Sequence, residues 1–387
     1  MKKIAIIAGE LSADILGAEI ISSVNSNVFW FGVGGPNMKS KGLHEIMDWN
    51  SIQAFGLGDI IIRIPKLFLN AYKLANLIIK EKPDIIFTVD TKGFNFFLIN
   101  IIRKKIIKNF NNYFPRIIHI VAPTVWAWRP NRAKKLKNMI DILLCLFPKE
   151  PDYFTKHGID AIATGHPAIH RYSKKNNRNE LFKILKLKDL NQKIITLLPG
   201  SRDTEVKRNL PVLIQSVKII RSKIKPNPLF IIQSASNQER IIKKIITSQN
   251  VEIKLVNNEK NGDLLTSLAD FAVVTCGTAT LEYCIAGVPS IAIYKTGYFS
   301  GMLGRLIIDM DKVVLPNWIL DREIIQFLFQ EKCNPEYISE FVIKNLYNPE
   351  IINEFKDASK SLKKLLKVNN KSFNENIEKV IMKTLKI

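Results

Sequence analysis

The stretch "ITLLPGSRDTEV", residues 194–205, reads as a strand that stops abruptly. Ile194 to Leu198 is apolar at nearly every position, Pro199-Gly200 ends the run, and Ser201 and Arg202 precede an acidic helix start at Asp203 and Glu205. A strand that is apolar end to end, not at every second residue, is buried on both faces, as in a parallel sheet covered by helices. Beyond it, a glycine turn, a hydroxyl and a guanidinium at a helix start offer free N–H groups, the positive end of a helix dipole and a two-pronged donor. That combination suits phosphate. A capped helix with a surface arginine is the plainer alternative, and the GxxxxGK[ST] spacing of a Walker loop is absent.

The same unit recurs. Apolar runs at 3–8, 84–90, 116–122, 141–147 and 161–165 alternate with longer amphipathic stretches. After the polar segment "HRYSKKNNRNE" (170–180) the rhythm restarts at 193–199, 228–234, 251–256, 270–275 and 290–294. Helical stretches between parallel strands make βαβ crossovers, so the expected fold is α/β, with two Rossmann-like, doubly wound parallel-sheet domains facing across a cleft. The expected domains span 1–170 and 171–335. From 336 to 387 the pattern is helical only, a tail that packs on the domains or on a partner subunit. A chain of 387 residues also exceeds what one core usually supports.

Composition narrows the function. Against 35 acidic residues stand 57 basic ones, a net charge of +22. Nucleic acid, an anionic membrane surface or an anionic substrate would each account for it, as would drift in a chain whose lysines are spread throughout. Cys145, Cys276, Cys284 and Cys333 show no CxxC and no ligand-like spacing with histidine, so they read as reduced thiols of a cytosolic protein, with no metal site. The longest apolar stretches, such as 94–102, fall short of the roughly 20 residues that span a bilayer. The opening apolar run stops at Gly9-Glu10, too short for a signal peptide. The expectation is a soluble, intracellular protein.

Ligands of open α/β sheets bind beyond the carboxyl ends of the strands, so strand ends carry the chemistry. The first ends "AGELSADILGA" (8–18), with Glu10 at the tip and with Ser12 and Asp14 as loop ligands or helix caps. "FGVGGPNMKSKG" (31–42) is a glycine-rich turn that lets backbone approach a ligand. "TVDTKGFN" (88–95) puts Asp90 at a tip, where a carboxylate can take a proton from a hydroxyl nucleophile or simply cap a helix. "VAPTVWAWRPNR" (121–132) sets Trp126 and Trp128 beside Arg129 and Arg132, suited to stacking a base or sugar, or to a packed loop. In "VVTCGTATLEYCIAGVPSIAIY" (273–294), Gly277 and Thr278 open a helix, and Glu282, one turn on, can accept hydrogen bonds from ribose hydroxyls. Two anion-binding helix starts and an acid in one domain describe a nucleotide diphosphate site.

Together "GELSAD", "GVGGPNM", "VDTKGFN", "VAPTVWAWRPNR", "TGHP", "LLPGSRDTEV", "CGTATLE" and "LPNWILDRE", in this order, resemble lipid-A-disaccharide synthase, a family of bacterial inverting glycosyltransferases, nearly end to end. "VWAWR" followed by "LPGSR" is the most specific element. The resemblance implies the GT-B architecture, with an N-terminal acceptor domain and a C-terminal UDP-sugar domain. It implies transfer of 2,3-diacylglucosamine from UDP to the 6-hydroxyl of 2,3-diacylglucosamine 1-phosphate, giving a β-1,6-linked lipid A precursor and UDP. Ser201, Arg202, Gly277 and Thr278 would then serve the UDP phosphates, Glu282 the ribose, and Glu205, Asn317 and Arg322 the same UDP-sugar site. Asp90 becomes the favoured general base with Glu10 competing, and Ser12, Asp14, Trp126 and Arg129 remain acceptor or loop candidates. One in-line displacement needs neither metal nor cofactor.

Three positions depart from the family's usual pattern: Ala13 for a glycine, Cys276 for a serine, and Lys149 where an apolar residue is usual. None removes a candidate catalytic group, so an active enzyme is expected. Both substrates are acylated and anionic, which places the enzyme peripherally on the cytoplasmic face of the inner membrane of a Gram-negative bacterium. "GDIIIRIPKLFLNAYKLANLIIKEK" (58–82) supplies Arg63, Lys66, Leu67, Phe68 and Lys73 as membrane-contact candidates, on a pair of interfacial helices or on one core-facing helix with a basic side. The resemblance also admits a homodimer through the C-terminal segment. A UDP-GlcNAc 2-epimerase-like enzyme or another GT-B transferase would share the UDP site without the tandem motifs. A nucleic-acid-binding protein would gather its basic residues on one element, which only 125–135 resembles, so no nucleic acid partner is expected.

Overall fold

The computed structural model describes residues 1–24, 28–52, 57–109, 113–125, 130–172, 178–185, 189, 191–297, 301 and 309–386. It divides into two compact units, Met1–Pro167 with Leu365–Ile387, and Ala168–Lys364.

In the first unit the chain runs β1 (Lys2–Ala8), α1 (Leu11–Ser22), β2 (Val28–Val33), α2 (Pro36–Ser40), β3 (His44–Glu45), α3 (Leu57–Glu81), β4 (Ile85–Val89), α4 (Lys92–Asn109), β5 (Arg116–Ile120), β6 (Ile142–Cys145), α5 (Asp152–Thr155) and β7 (Asp160–Ala163). The strands form one sheet in the order β3-β2-β1-β4-β5-β6-β7, all parallel. Order reverses between β1 and β4, the switch point at which doubly wound sheets bind ligands. Ile4, Ile6, Ile7, Ile86, Phe87 and Ile117 are fully buried, so both sheet faces are covered, as the unbroken apolar runs predicted.

The second unit carries α6 (Ala168–Arg171), α7 (Arg178–Leu185), β8 (Ile194–Leu198), α8 (Asp203–Lys223), β9 (Leu229–Ser234), α9 (Glu239–Gln249), β10 (Lys254–Asn257), α10 (Asn258–Leu268), β11 (Phe271–Thr275), α11 (Thr278–Ala286), β12 (Ser290–Tyr294), α12 (Leu315–Leu320), β13 (Phe327–Phe329), α13 (Pro335–Asn345) and α14 (Pro349–Leu365). Its sheet, β10-β9-β8-β11-β12-β13, is again all parallel and reverses between β8 and β11. Leu210, Leu213 and Val217 of α8 close one face together with Ile338, Val342 and Leu346.

The helices beyond 335 are shared out. α13 and most of α14 belong to the second unit, whereas α15 (Phe373–Leu385) belongs to the first. There the Asn376 amide donates to the Thr164 carbonyl at 3.1 Å. Gly165, with φ +82, lets the chain run against Leu366, whose carbonyl oxygen would lie 2.3 Å from a Cβ added there. The glycine of "TGHP" is therefore a docking point for the C-terminal segment.

Aspartates staple the amino ends of strands. Asp84 accepts from the Lys3 N–H at 2.9 Å and from Lys2 Nζ at 3.1 Å. Asp141 accepts from the Ile117 N–H at 2.7 Å and from Arg103 at 2.6 Å. Asp270 accepts from the Ile194 N–H at 2.8 Å, Lys193 at 2.9 Å and Arg178 at 3.2 Å. Each carboxylate satisfies an amide at the first or second residue of a neighbouring strand and so fixes register at the end opposite the ligand edge.

Two expectations change. The glycine-rich turn at 31–42 begins as strand β2, and β13 had no clear signal in its three residues. The interfacial helix pair at 58–82 is one helix, α3, with Pro65 inside it. A proline in a helix interior costs about 3 kcal/mol. Burial of Ala71, Leu74, Ala75 and Ile78, spaced by three and four residues on one side, offsets that cost. No helix among the described residues is long and apolar enough to cross a membrane.

Candidate functional site

At the switch point of the second unit, β8 ends in the turn that opens α8. Gly200 has φ +120, and a Cβ there would sit 2.5 Å from Glu205 Cβ, so only glycine makes this turn. Ser201 and Arg202 are exposed at its tip. Glu205 turns inward: its carboxylate accepts from the Ser201 N–H at 3.0 Å, the Arg202 N–H at 3.3 Å and the Arg202 guanidinium at 3.0 Å. The acid thus caps the helix it belongs to and orients the arginine, whose side chain remains two-thirds exposed (66%). Burial, and then the Glu205 charge, to which its hydroxyl is also hydrogen-bonded, raise the pKa of the Tyr294 phenol at the end of β12.

The neighbouring strand β11 is followed by Cys276 and by Gly277, the N-cap of α11. Gly277 and Thr278 are exposed, and a Cβ built on Gly277 meets nothing within 4 Å, so the helix start is open to an incoming group. The Cys276 thiol faces the Val313 carbonyl at 3.7 Å, and burial pushes its pKa up to about 12, leaving it a neutral donor. Glu282 lies one turn into α11 with its side chain a quarter exposed, and Arg171 approaches it at 3.3 Å. Asn317 is occupied otherwise: its Oδ1 accepts from the Ile324 and Ile325 N–H groups at 3.0 Å each, and its amide donates to the Ile325 carbonyl at 2.8 Å. Its side chain shapes the "ILDRE" loop. Arg322 on that loop is exposed, 4.0 Å from Glu354.

Sequence reasoning passed over Asn209. Fully buried in α8, its amide donates to the Pro199 carbonyl at 3.1 Å and the Thr275 hydroxyl at 3.0 Å, and its Oδ1 accepts from the Lys295 N–H at 3.1 Å. One side chain thereby ties the ends of β8, β11 and β12. The available signal was an amide placed on the buried side of an amphipathic helix, "EVKRNLPVLI".

In the first unit, Glu10 is the exposed N-cap of α1 and Ser12 is exposed beside it. Asp14 is fully buried and caps a different helix: it accepts from the Asn37 N–H at 3.0 Å, Asn37 Nδ2 at 2.9 Å and the Met38 N–H at 3.0 Å. Gly35 permits that approach, since a Cβ there would lie 2.7 Å from the carboxylate. "GELSAD" and "GVGGPNM" are therefore two halves of one contact. Ala13 is buried within α1.

Asp90 and Thr91, at the end of β4, have φ +44 and +42, and Val121 beyond β5 has φ +79. For β-branched residues this is a strained backbone, which persists only where surrounding structure enforces it. Here the buried Asn95 amide donates to the Val89 and Asp90 carbonyls at 3.2 and 2.8 Å, and the Asp90 N–H donates to Ile120 at 3.0 Å. The Asp90 carboxylate is 31% exposed, 3.3 Å from Lys92. Close behind, His119 is fully buried and burial drives its pKa down to about 3, so its ring is neutral, bonded to the Thr88 hydroxyl at 2.8 Å. Burial pushes the Glu150 carboxyl up to about 8, against the pull of the Phe147 N–H that it accepts at 3.0 Å and of Lys92. Lys149, next to it, is half-buried. Trp126 and Arg129 lie outside the described residues, as does the side chain of Arg63.

Two Rossmann-like parallel-sheet domains, one with two exposed helix starts at its switch point, make the GT-B architecture. A family model described as lipid-A-disaccharide synthetase matches residues 4–381. The chain belongs to the lipid-A-disaccharide synthase family. It is 31% identical over 374 residues to the lipid-A-disaccharide synthase of Persephonella marina, covering 95% of each chain. It is 34% identical over 348 residues to that of Rickettsia bellii, covering 88% of this chain and 87% of the other. Among solved structures, UDP-GlcNAc 2-epimerase from Neisseria meningitidis bound to UDP-GlcNAc superposes with a TM-score of 0.66 over all of both chains at 11% identity, a likeness of fold alone.

Two predictions follow from this geometry. Gly277→Ala places a methyl group in open space but replaces a good N-cap residue by a poor one, so unfolding shifts by about 1 kcal/mol, whereas a phosphate contact at this helix start requires UDP affinity to fall by about tenfold or more. Gly200→Ala loses both, and comparing denaturant midpoints with calorimetric UDP binding separates the two cases. Glu150→Gln tests burial of the carboxyl. With a folded pKa of about 8 against an ordinary 4.5, the native state holds a proton that the unfolded chain has released. The group's stabilising contribution is full below about pH 4.5 and is lost as pH rises towards 8, by at most about 1.4 kcal/mol per unit. Urea midpoints at pH 5 and pH 8 should show the variant gaining on the wild type as pH rises.

Proposed function

We propose that this chain condenses UDP-2,3-diacylglucosamine with 2,3-diacylglucosamine 1-phosphate, forming the β-1,6-linked lipid A disaccharide 1-phosphate and releasing UDP. The observation that carries this reading is the family match from residue 4 to residue 381. The strand-end chemistry supports it. The Asp90 carboxylate takes the proton of the acceptor 6-hydroxyl as that oxygen attacks the anomeric carbon. The bond to the UDP oxygen breaks, and its electron pair leaves on the β-phosphate. Attack opposite the leaving group inverts the anomeric centre in a single step. Arg202 and the amide groups opening α11 neutralise the charge that develops on the diphosphate, while the Ser201 and Arg202 amides stay on Glu205. In this scheme Glu10 flanks the acceptor, Ser201 and Thr278 take phosphate oxygens, Glu282 takes the ribose hydroxyls, and Arg322 reaches a phosphate or sugar.

The enzyme works on acylated substrates as a peripheral protein on the cytoplasmic face of the inner membrane. On α3, Phe68, Leu69 and Tyr72 are 44, 63 and 51% exposed and flanked by exposed Lys66 and Lys73, with Leu67 half-buried. Phe97 meets Phe68 edge-on at 4.3 Å, and Lys105 stands 5.9 Å from the Tyr72 ring. An aromatic patch ringed by lysines suits an anionic lipid surface. A homodimer would use the C-terminal helices, where Tyr337, Tyr347 and Leu365 are exposed.

The direct test is acceptor-dependent UDP release. Asp90→Ala should lose turnover by a factor of about 100 or more while binding UDP normally. Release that ignores the acceptor would sink the transferase assignment, and full activity in the variant would remove Asp90 as base. Phe68→Ser with Leu69→Ser should reduce co-sedimentation with anionic vesicles by about tenfold at unchanged turnover on detergent-dispersed substrates; unchanged sedimentation would rule out this patch.

A further inference from the structure

Arg171 belongs to a polar segment in which the sequence shows no chemistry, yet it sits at the centre of a small built cluster. One arm of its guanidinium, Nη2, donates to Glu282 Oε1 at 3.3 Å, and Nη1 lies 3.7 Å from Asp263 Oδ1. Its Cζ stands 5.7 Å from the Tyr172 ring centroid, and the Tyr172 hydroxyl donates to Asp263 Oδ1 at 3.0 Å. Lys363 then holds the Tyr172 carbonyl at 3.2 Å. Asp263 of α10, Glu282 of α11 and Tyr172, the residue that follows α6, thus surround the arginine. Its side chain is 28% exposed and that of Glu282 25%, so neither is a freely solvated surface charge.

We propose that Arg171 is a positioning residue that fixes the Glu282 carboxylate to receive the two ribose hydroxyls of the nucleotide donor. The proposal rests on the reading of Glu282 as the ribose acceptor. A carboxylate has about four acceptor sites on its two oxygens, so one held by a guanidinium and approached by the Tyr172 hydroxyl can still accept from hydroxyl donors. Glu282 lies one turn, about 5.4 Å of helix rise, beyond the α11 start that suits phosphate, a separation that a nucleoside diphosphate bridges. Burial raises the Glu282 pKa and so favours the protonated acid, and Asp263 adds to this. Arg171, first by its charge and then by its hydrogen bond, acts in the opposite direction, and the Tyr172 hydroxyl helps. Two hydroxyls need an acceptor that stays ionised and does not rotate. The arginine, itself braced by Asp263 and the Tyr172 ring, opposes protonation and fixes the orientation of the carboxylate.

Calorimetric binding of UDP and of 2′,3′-dideoxy-UDP tests this on the full chain, in wild type, Arg171→Met, Arg171→Lys and Glu282→Gln. The quantity read is the ratio of the two dissociation constants, which a general loss of structure leaves unchanged because it weakens both nucleotides alike. The wild type should prefer UDP by at least about tenfold, because an acceptor left unpaired by the dideoxy sugar costs binding. Arg171→Met should reduce that preference to within about threefold. Arg171→Lys, which keeps the charge and loses the fork, should fall between, and it carries the test alone if the methionine variant does not fold. A wild-type ratio in the arginine variants, with the ratio lost in Glu282→Gln, overturns the role of Arg171 and leaves the ribose reading standing. A ratio unaffected by Glu282→Gln overturns the ribose reading and this proposal with it. Tighter UDP binding in Arg171→Met would mean that the arginine competes with the nucleotide, which also overturns it.

Discussion

The second domain depends on the side chain of Asn209. Parallel strands leave their last carbonyl and amide groups unpaired where the sheet ends, and a buried unpaired group costs on the order of 1–3 kcal/mol. Asn209 satisfies groups at three such ends with a single amide, donating to Pro199 and Thr275 and accepting from Lys295. The glycine turn before α8 and the open start of α11 are thereby held beside each other at the β8–β11 switch point. The first domain uses the same device with different residues, since Asn95 holds the Val89 and Asp90 carbonyls and keeps Asp90 in its left-handed conformation.

Charge is arranged to match. Glu205 occupies the amides of Ser201 and Arg202 from the inner side, so the turn is ordered before any ligand arrives and the Arg202 guanidinium already has a direction. The opposite ends of the strands carry a different set: Asp84, Asp141 and Asp270 each bond a neighbouring strand's amide as well as Lys or Arg side chains. Acids hold the amino ends of the strands, and amides and glycines shape the carboxyl ends.

Much of this was legible. Runs such as "DIIFTVD" and "KIITLLP" are apolar throughout because their strands are buried on both faces, and ten strands lie where those runs fall. Gly200 was readable because a strand followed by Pro-Gly and an acidic helix start leaves few alternatives. β13 was not, since three residues carry no period. Asp14 reads as a cap for its own helix, because capping is judged locally, yet its partners Asn37 and Met38 lie more than twenty residues on. Asn317 stands in a motif that points to a ligand, but its amide is spent on the loop at 324–325.

The sequence by itself determined the two parallel α/β sheets, the residues at their strand ends and, through motifs in fixed order, the glycosyltransferase family. Each of these follows from periodicity or from residue type at a chain position, which are properties of neighbours along the chain. Only the tertiary structure decided which polar groups remain exposed for a ligand and which are consumed internally. Ser201, Gly277 and Thr278 stay open, whereas Asp14, Asn209 and Asn317 are spent on backbone, and Arg171 comes to lie against Glu282 from 111 residues away. The reason is that a hydrogen bond is satisfied by whichever group the fold brings within about 3 Å, and chain separation places no limit on that.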